Sequence, residues 1–237
     1  MSSDVSVREL TTAAATERAA ALLLQVWGGS EPPVPAHLLR TVQHIGGYAF
    51  GAYDAGDDLV AVSMGLLSRE GLHSHITGVL PSGQRHGLGF ALKQHQRRWA
   101  LERGITTITW TCDPLVRRNM AFNLHALGAT VVAYLPDHYG AMTDGVNKGD
   151  ESDRFELRWD LMSARAVAAA AGRLPWAAPR GVLVPLPEDI EALRRADPAA
   201  ARSYRRAVRD AVLPLLAKGA VIRGLTAAGE LVLEEAP

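Results

Sequence analysis

The sequence predicts a mixed α/β fold: a central sheet flanked by helices, with a helical, hairpin-containing C-terminal extension. Three apolar segments, 46–53, 59–67 and 73–80, follow one another across Asp/Gly-rich and Arg-Glu-Gly turns, which is the spacing of an antiparallel meander. Beyond them, apolar residues at helical spacing alternate with β-branched runs, so helices and strands interleave. Over 237 residues, 48% apolar and 21% charged side chains are enough for a substantial core and exclude a disordered or fibrous chain.

Residues 5–10 read as a first strand. Thr11 and Thr12 then precede an alanine-rich helix whose stripe is Ala15, Ala19, Leu22 and Leu23, stopped by Gly28 and Gly29. A short helix over 35–42 starts at Pro35, where a missing N–H costs least. After the meander, a helix from Gly87 to Gly104 is expected to bury Leu88, Ala91, Leu92 and Trp99 and to turn Lys93, Gln96, Arg97 and Glu102 to water. Residues 105–111 read as a strand, 116–127 as a helix closed by Gly128, and 130–135 as another strand. Residues 136–153 form a long loop before a strand at 155–159, and a loop of that length is a candidate for substrate contact.

A soft boundary divides a domain at 1–161 from an extension at 162–237. In the extension, Asp197 and Pro198 supply the cap and first residue of a helix with the stripe Ala201, Tyr204, Val208 and Leu215, kinked near Pro214. Residues 221–225 and 230–233 read as a final hairpin.

The 25 basic and 25 acidic residues cancel without a long basic run, which argues against a phosphate-tracking nucleic-acid surface. The lone Cys112 cannot form an intrachain disulfide, the start lacks a signal-peptide pattern, and apolar runs are too short for a membrane span. A cytoplasmic location is therefore expected.

The strongest local signal is Gln84-Arg85-His86-Gly87-Leu88-Gly89 at a strand-to-helix junction. Unpaired amides at a helix start converge on an anion, glycine permits close approach, and Arg85 adds a charge-assisted contact. Taken alone, the turn reads first as a glycine-rich element packing helix against sheet, and second as an anion site. Neither a dinucleotide-binding Gly-x-Gly-x-x-Gly turn nor the Gly-Lys-Ser/Thr end of a P-loop is present.

Gln84, Gly87 and Gly89 match the pyrophosphate-binding signature of the GNAT acyltransferase superfamily, which the sequence resembles. The resemblance extends through Ser74-His-Ile-Thr-Gly-Val79, Trp110-Thr-Cys-Asp-Pro-Leu115, Arg118-Asn-Met-Ala-Phe-Asn123, Leu127-Gly128, His138-Tyr-Gly140 and Ser152-Asp-Arg154, a pattern similar to a branch of predicted GNAT enzymes. It implies a GNAT-type mixed central sheet and acyl-CoA, acetyl-CoA or succinyl-CoA, as co-substrate. It implies cofactor contacts from Val79, Leu80, Gln84, Arg85, His86, Gly87, Leu88 and Gly89, with Asn119 and Asn123 as further phosphate or helix-organising amides. Acyl transfer from a thioester requires no metal, and none is expected.

Amine acylation needs a neutral nitrogen nucleophile, a polarised thioester and a proton source for the thiolate. His73 and His75 alternate to one strand face; His75 is the base candidate, and the competing reading is a neutral hydrogen-bonded histidine. Asp113 reads as a helix cap, a histidine orienter or an acceptor contact. Where the family carries an acidic tyrosine, this chain has Leu124, so Tyr139, and more weakly Tyr134, are the replacement donors. Arg154 reads either as a carboxylate fork for an amino-acid acceptor or as half of a surface pair with Asp153. The expected activity is N-acylation of a small amine or amino acid. The alternatives are a CoA-binding or regulatory module without chemistry, and an O-acyltransferase.

Overall fold

The computed structural model describes residues 5–84, 87–142 and 149–235, excluding the side chains of Ser82 and Gln84. It forms two compact units that meet in sequence between Thr109 and Trp110, inside one strand.

In the first unit β1 (Ser6–Glu9) leads to α1 (Ala13–Trp27), whose start is fixed by Thr12 Oγ1 accepting from Ala15 N at 3.1 Å. α2 (Ala36–His44) follows, with Pro35 as its N-cap rather than its first helical residue. The meander is β2 (Tyr48–Tyr53), β3 (Leu59–Ser68) and β4 (Gly71–Val79), paired antiparallel as the turn spacing predicts. A helical turn, α3 (Pro81–Gln84), and α4 (Leu88–Leu101) precede β5 (Thr107–Cys112). Strand order is β1-β2-β3-β4-β5, and β4 and β5 run parallel, so the sheet is mixed. Leu10, Ala19, Leu23, Leu39, Val62 and Met64 form a core in which α1 and α2 cover the meander.

One expectation fails on α4. Lys93 and Gln96 are 5% and 0% exposed, whereas Ala91 faces solvent. Residues at i and i+4 share a helix face, so Leu88, Leu92, Gln96 and Ala100 lie in one buried row, and polarity did not override that geometry. Lys93 is accommodated because its Nζ donates to Ser74 Oγ at 2.7 Å and to Gln96 Oε1 at 3.2 Å.

In the second unit the helix expected over 116–127 is two segments: α5 (Arg117–Met120) and a π-helical stretch, Ala121–Ala126. Leu127 N reaches Phe122 O at 2.9 Å, the wider i to i+5 bond that 3.6-residue periodicity does not anticipate. Strands β6 (Thr130–Leu135) and β7 (Arg154–Asp160) pair antiparallel, and the order continues β5-β7-β6. α6 (Ala164–Ala170) starts at Ser163, β8 is Val182–Pro185, and α7 (Ile190–Ala196) starts at Asp189. α8 (Pro198–Ala217) is capped by Asp197 as expected and continues through Pro214. The C-terminal hairpin, β9 (Val221–Leu225) and β10 (Glu230–Glu234), joins β8 in a second sheet, order β8-β10-β9. Among the described residues no helix is long and apolar enough to cross a membrane.

Candidate active site

β4 carries both candidate histidines. In its ladder with β3, Gly65 faces Ser74 and Met64 faces Ile76, so the register skips His75, which is a bulge residue. The parallel ladder with β5 is registered at Leu72↔Ile108 and His73↔Thr109, two residues before the bulge. His73 is steadied there, its Nδ1 3.3 Å from Thr109 Oγ1, and the His73 and His75 rings lie 6.3 Å apart. Between them Ser74, 4% exposed, takes the hydrogen bond from Lys93. His75 keeps an exposed surface, yet partial desolvation against its neighbours holds its imidazole below the usual histidine value. It is therefore neutral near pH 7, the form a base requires.

The glycine turn opens α4. Gly87 is left-handed, φ 71° and ψ 15°, and no side chain of the described residues caps the helix start. Among the described residues, an added Cβ at Gly87 would meet no atom within 4 Å. A phosphate approaching the backbone at Gly87 would thus meet no atom of the described residues where a side chain would stand, and a helix start of this kind suits an anion. Leu88 is 4% exposed and anchors the turn, and a Cβ at Gly83 would come within 2.5 Å of Leu88 Cδ1. α3 separates the turn from the strand, so the junction is strand, helical turn, then α4. Leu80 N is already used by Val60 O at 3.0 Å, Leu80 O accepts from Gly83 N at 2.8 Å, and Val79 pairs with Ala61, so these backbone groups are engaged within the protein. The Gln84 side chain, Arg85 and His86 lie outside the described residues.

In the second unit Asp113 belongs to an ionic cluster. Asp113 is 7% exposed; its carboxylate accepts from Leu115 N at 2.9 Å, from Arg205 at 3.0 Å and from Arg194. It closes a turn, while the cap of α5 is Val116. Burial pushes Asp113 up, but Arg205 and Arg194 outweigh it and hold the carboxyl below its usual range. Asp150 joins the same two arginines at 2.9 Å each.

Asp153 and Arg154 are not a surface pair. Asp153 is fully buried and bound by Arg209, and Arg154, 6% exposed, donates to Asp153 O at 2.8 Å and to Met142 Sδ at 3.0 Å. Strand alternation sends these neighbours to opposite sides, so each finds its own partner. The Arg154 guanidinium sits 5.3 Å from the Tyr139 ring centroid, and the exposed Tyr139 hydroxyl bonds Thr111 Oγ1 at 2.8 Å. Tyr134 donates to Asp153 Oδ2 at 2.5 Å; burial, then that bond, raise its pKa and make it a poor proton donor. Asn119 is exposed, Asn123 is buried, and Leu124 is 1% exposed with its carbonyl held by Arg165 at 2.7 Å.

Arg205 and Lys93 escaped the sequence reading. The available signal was position: Arg205 lies four residues after Ala201 and three before Val208, inside the apolar stripe of α8, where a guanidinium must bring partners.

Residues 2–115 match the family model described as "Acetyltransferase (GNAT) domain". A search of the curated proteins found no match. Among solved structures, the ribosomal-protein-S18-alanine N-acetyltransferase of Escherichia coli is similar with TM-score 0.55 and 18% identity, over 68% of this chain and 96% of that one. An N-acetyltransferase from Staphylococcus aureus Mu50 gives 0.54 and 13% over 67% and 99%, and Naa20 from Chaetomium thermophilum gives 0.50 and 18% over 70% and 90%. At these identities the likeness is one of fold. The family model over residues 2–115 and these folds agree, and together they support a GNAT superfamily assignment.

Proposed function

We propose that the chain transfers an acyl group from acyl-CoA to the amine of a small acceptor, with His75 as the base. The observation that supports this reading best is the neutral, bulge-held His75 on β4, the strand that precedes α3 and the glycine start of α4. GNAT domains use acyl-CoA, and here the first-turn amides of α4 receive its phosphates. The acceptor nitrogen attacks the thioester carbonyl carbon, the carbon–sulfur bond breaks, and His75, directly or through water, takes the proton lost by the amine. His73, steadied by Thr109, fixes the approach. The thiolate then gains a proton to leave as free CoA; Tyr139, whose hydroxyl is exposed, is the donor assigned to that step.

A binding-only reading is favoured by one observation: Leu124 replaces the family's acidic tyrosine and is buried. Mass-spectrometric screening of acetyl-, succinyl- and other acyl-CoAs against pooled amino acids and amines tests both. Amide formation supports the enzyme. Tight CoA binding with no acyl consumption across the pool supports the binding module, and ester products support the O-acyl alternative.

A further inference from the structure

A cleft of about 500 Å³ opens in the second unit between the π-helical stretch, α6, the segment after α6, and the β9/β10 hairpin. That volume lies within the range of small-molecule sites, roughly 300–1,000 Å³. Its construction is specific. Gly128, φ 72°, lets the backbone of Arg165 come so close that an added Cβ would be 2.8 Å from Arg165 O. Gly224, on the hairpin, lies beside the guanidinium: its added Cβ would be 3.6 Å from Arg165 Nη2 and 3.2 Å from Ala177 Cβ. Ala177 N donates to Leu225 O at 3.0 Å, pinning the segment that carries Trp176 and Arg180.

The charges lining the cleft do not balance. Arg165, Arg180 and Arg223 face one carboxylate, Glu234, and Arg223 already holds it at 3.0 Å. Arg165 donates one bond, to Leu124 O, while its Nε is buried with no partner among the described residues. A guanidinium desolvated without a counter-charge is costly. His125, also on the wall, has a buried Nδ1 with no hydrogen-bond partner among the described residues. Its ring stacks on Trp176 at 3.7 Å and 12°, and the indole, 42% exposed, offers further aromatic surface.

We propose that this cleft binds a small organic monoanion with a flat aromatic body, its carboxylate taken by Arg165 and Arg180 and its ring laid against Trp176. An acid is preferred over its amide because the uncompensated guanidinium gains charge as well as acceptors. The site does not depend on the acyl-transfer reading, since no residue proposed for that reaction lines it.

Calorimetry on the full chain with 2-naphthoate, 2-naphthamide and inorganic phosphate tests this. Naphthoate should saturate at or below about 1 mM, with the amide and phosphate each at least about tenfold weaker. Arg165→Met should weaken naphthoate by about tenfold or more, with thermal unfolding as the fold check. If that variant does not fold, Arg180→Gln, on an exposed residue, provides the charge test and should also weaken the acid but not the amide. No saturation by naphthoate, equal affinity for acid and amide, or displacement of naphthoate by CoA would each overturn the proposal.

Discussion

The β4/α4 region and the ionic cluster around α8 bury polar groups by opposite means. Around β4 the partners are neutral or local: Lys93 finds Ser74 and Gln96, and Tyr48 Oη lies 3.0 Å from His95 Nδ1. Desolvation is the leading influence on His75 and His95, and both are pushed down. Around α8 the same desolvation would push Asp113, Asp150 and Asp153 up, but guanidinium groups reverse it and all three end low. Burial therefore prevails where opposite charge is absent or weaker, as with Glu102 near His95, and yields where guanidinium groups bind directly. The first arrangement yields a neutral imidazole suited to proton transfer. The second yields fixed charges suited to holding chain segments together, since Arg205 and Asp113 are 92 residues apart.

The sharpest way to break this contrast is Arg205→Ala, which leaves Asp113 and Asp150 short of a buried partner. We expect a loss of about 3–5 kcal/mol, read as a lower urea midpoint; a loss no larger than that of a surface substitution would remove the cluster from the account of stability. Next in size, His75→Gln should lower the acyl-transfer rate by about 100-fold or more while leaving CoA affinity nearly unchanged. Because burial lowers the His75 pKa, the acid limb of the wild-type profile should lie below the ordinary imidazole value, about 6.5, with activity falling as pH drops. Equal rates and profiles in the two proteins would end the base assignment.

The cluster should also respond to acid. Its carboxylates have depressed folded pKa values, so their stabilisation is complete above the ordinary carboxylate value and is lost as pH falls through the folded values. Denaturant midpoints measured downward from neutrality should fall steeply at acid pH in wild type, and less steeply in Arg205→Ala.

Gly87→Ala is a smaller perturbation. Its Cβ meets no atom of the described residues, so the cost is left-handed strain of about 1–2 kcal/mol. A fall in CoA affinity in the folded variant would then report ligand contact at the turn, and unchanged calorimetric affinity would move the phosphates elsewhere. Smallest of all, Glu191→Gln should cost less than about 1 kcal/mol, although its contacts to Arg118 are 2.6 and 2.8 Å, because Arg118 is 64% exposed. A loss comparable to that of Arg205→Ala would show that distance matters more than burial here.

Local chemistry made the fold class, the meander, the Thr12 and Asp197 caps and the terminal hairpin legible from sequence. Turn residues, capping oxygens and periodicity act over a few positions, and those positions are adjacent in the chain. The helix starting at Gly87 was legible for the same reason, whereas the left-handed conformation of that glycine was seen only in the structure. Tertiary structure alone decided the bulge that sets His75 apart, the π-helical turn, the burial of Lys93 and the partners of Asp113 and Arg154. Each of these depends on which distant segment packs against a residue: a strand register is fixed by its neighbour, and a buried charge is tolerated only where its counterpart arrives from elsewhere in the chain. Arg205 shows the division most clearly, for its place in the apolar stripe of α8 is written in the local pattern, whereas Asp113 and Asp150 meet it only after folding.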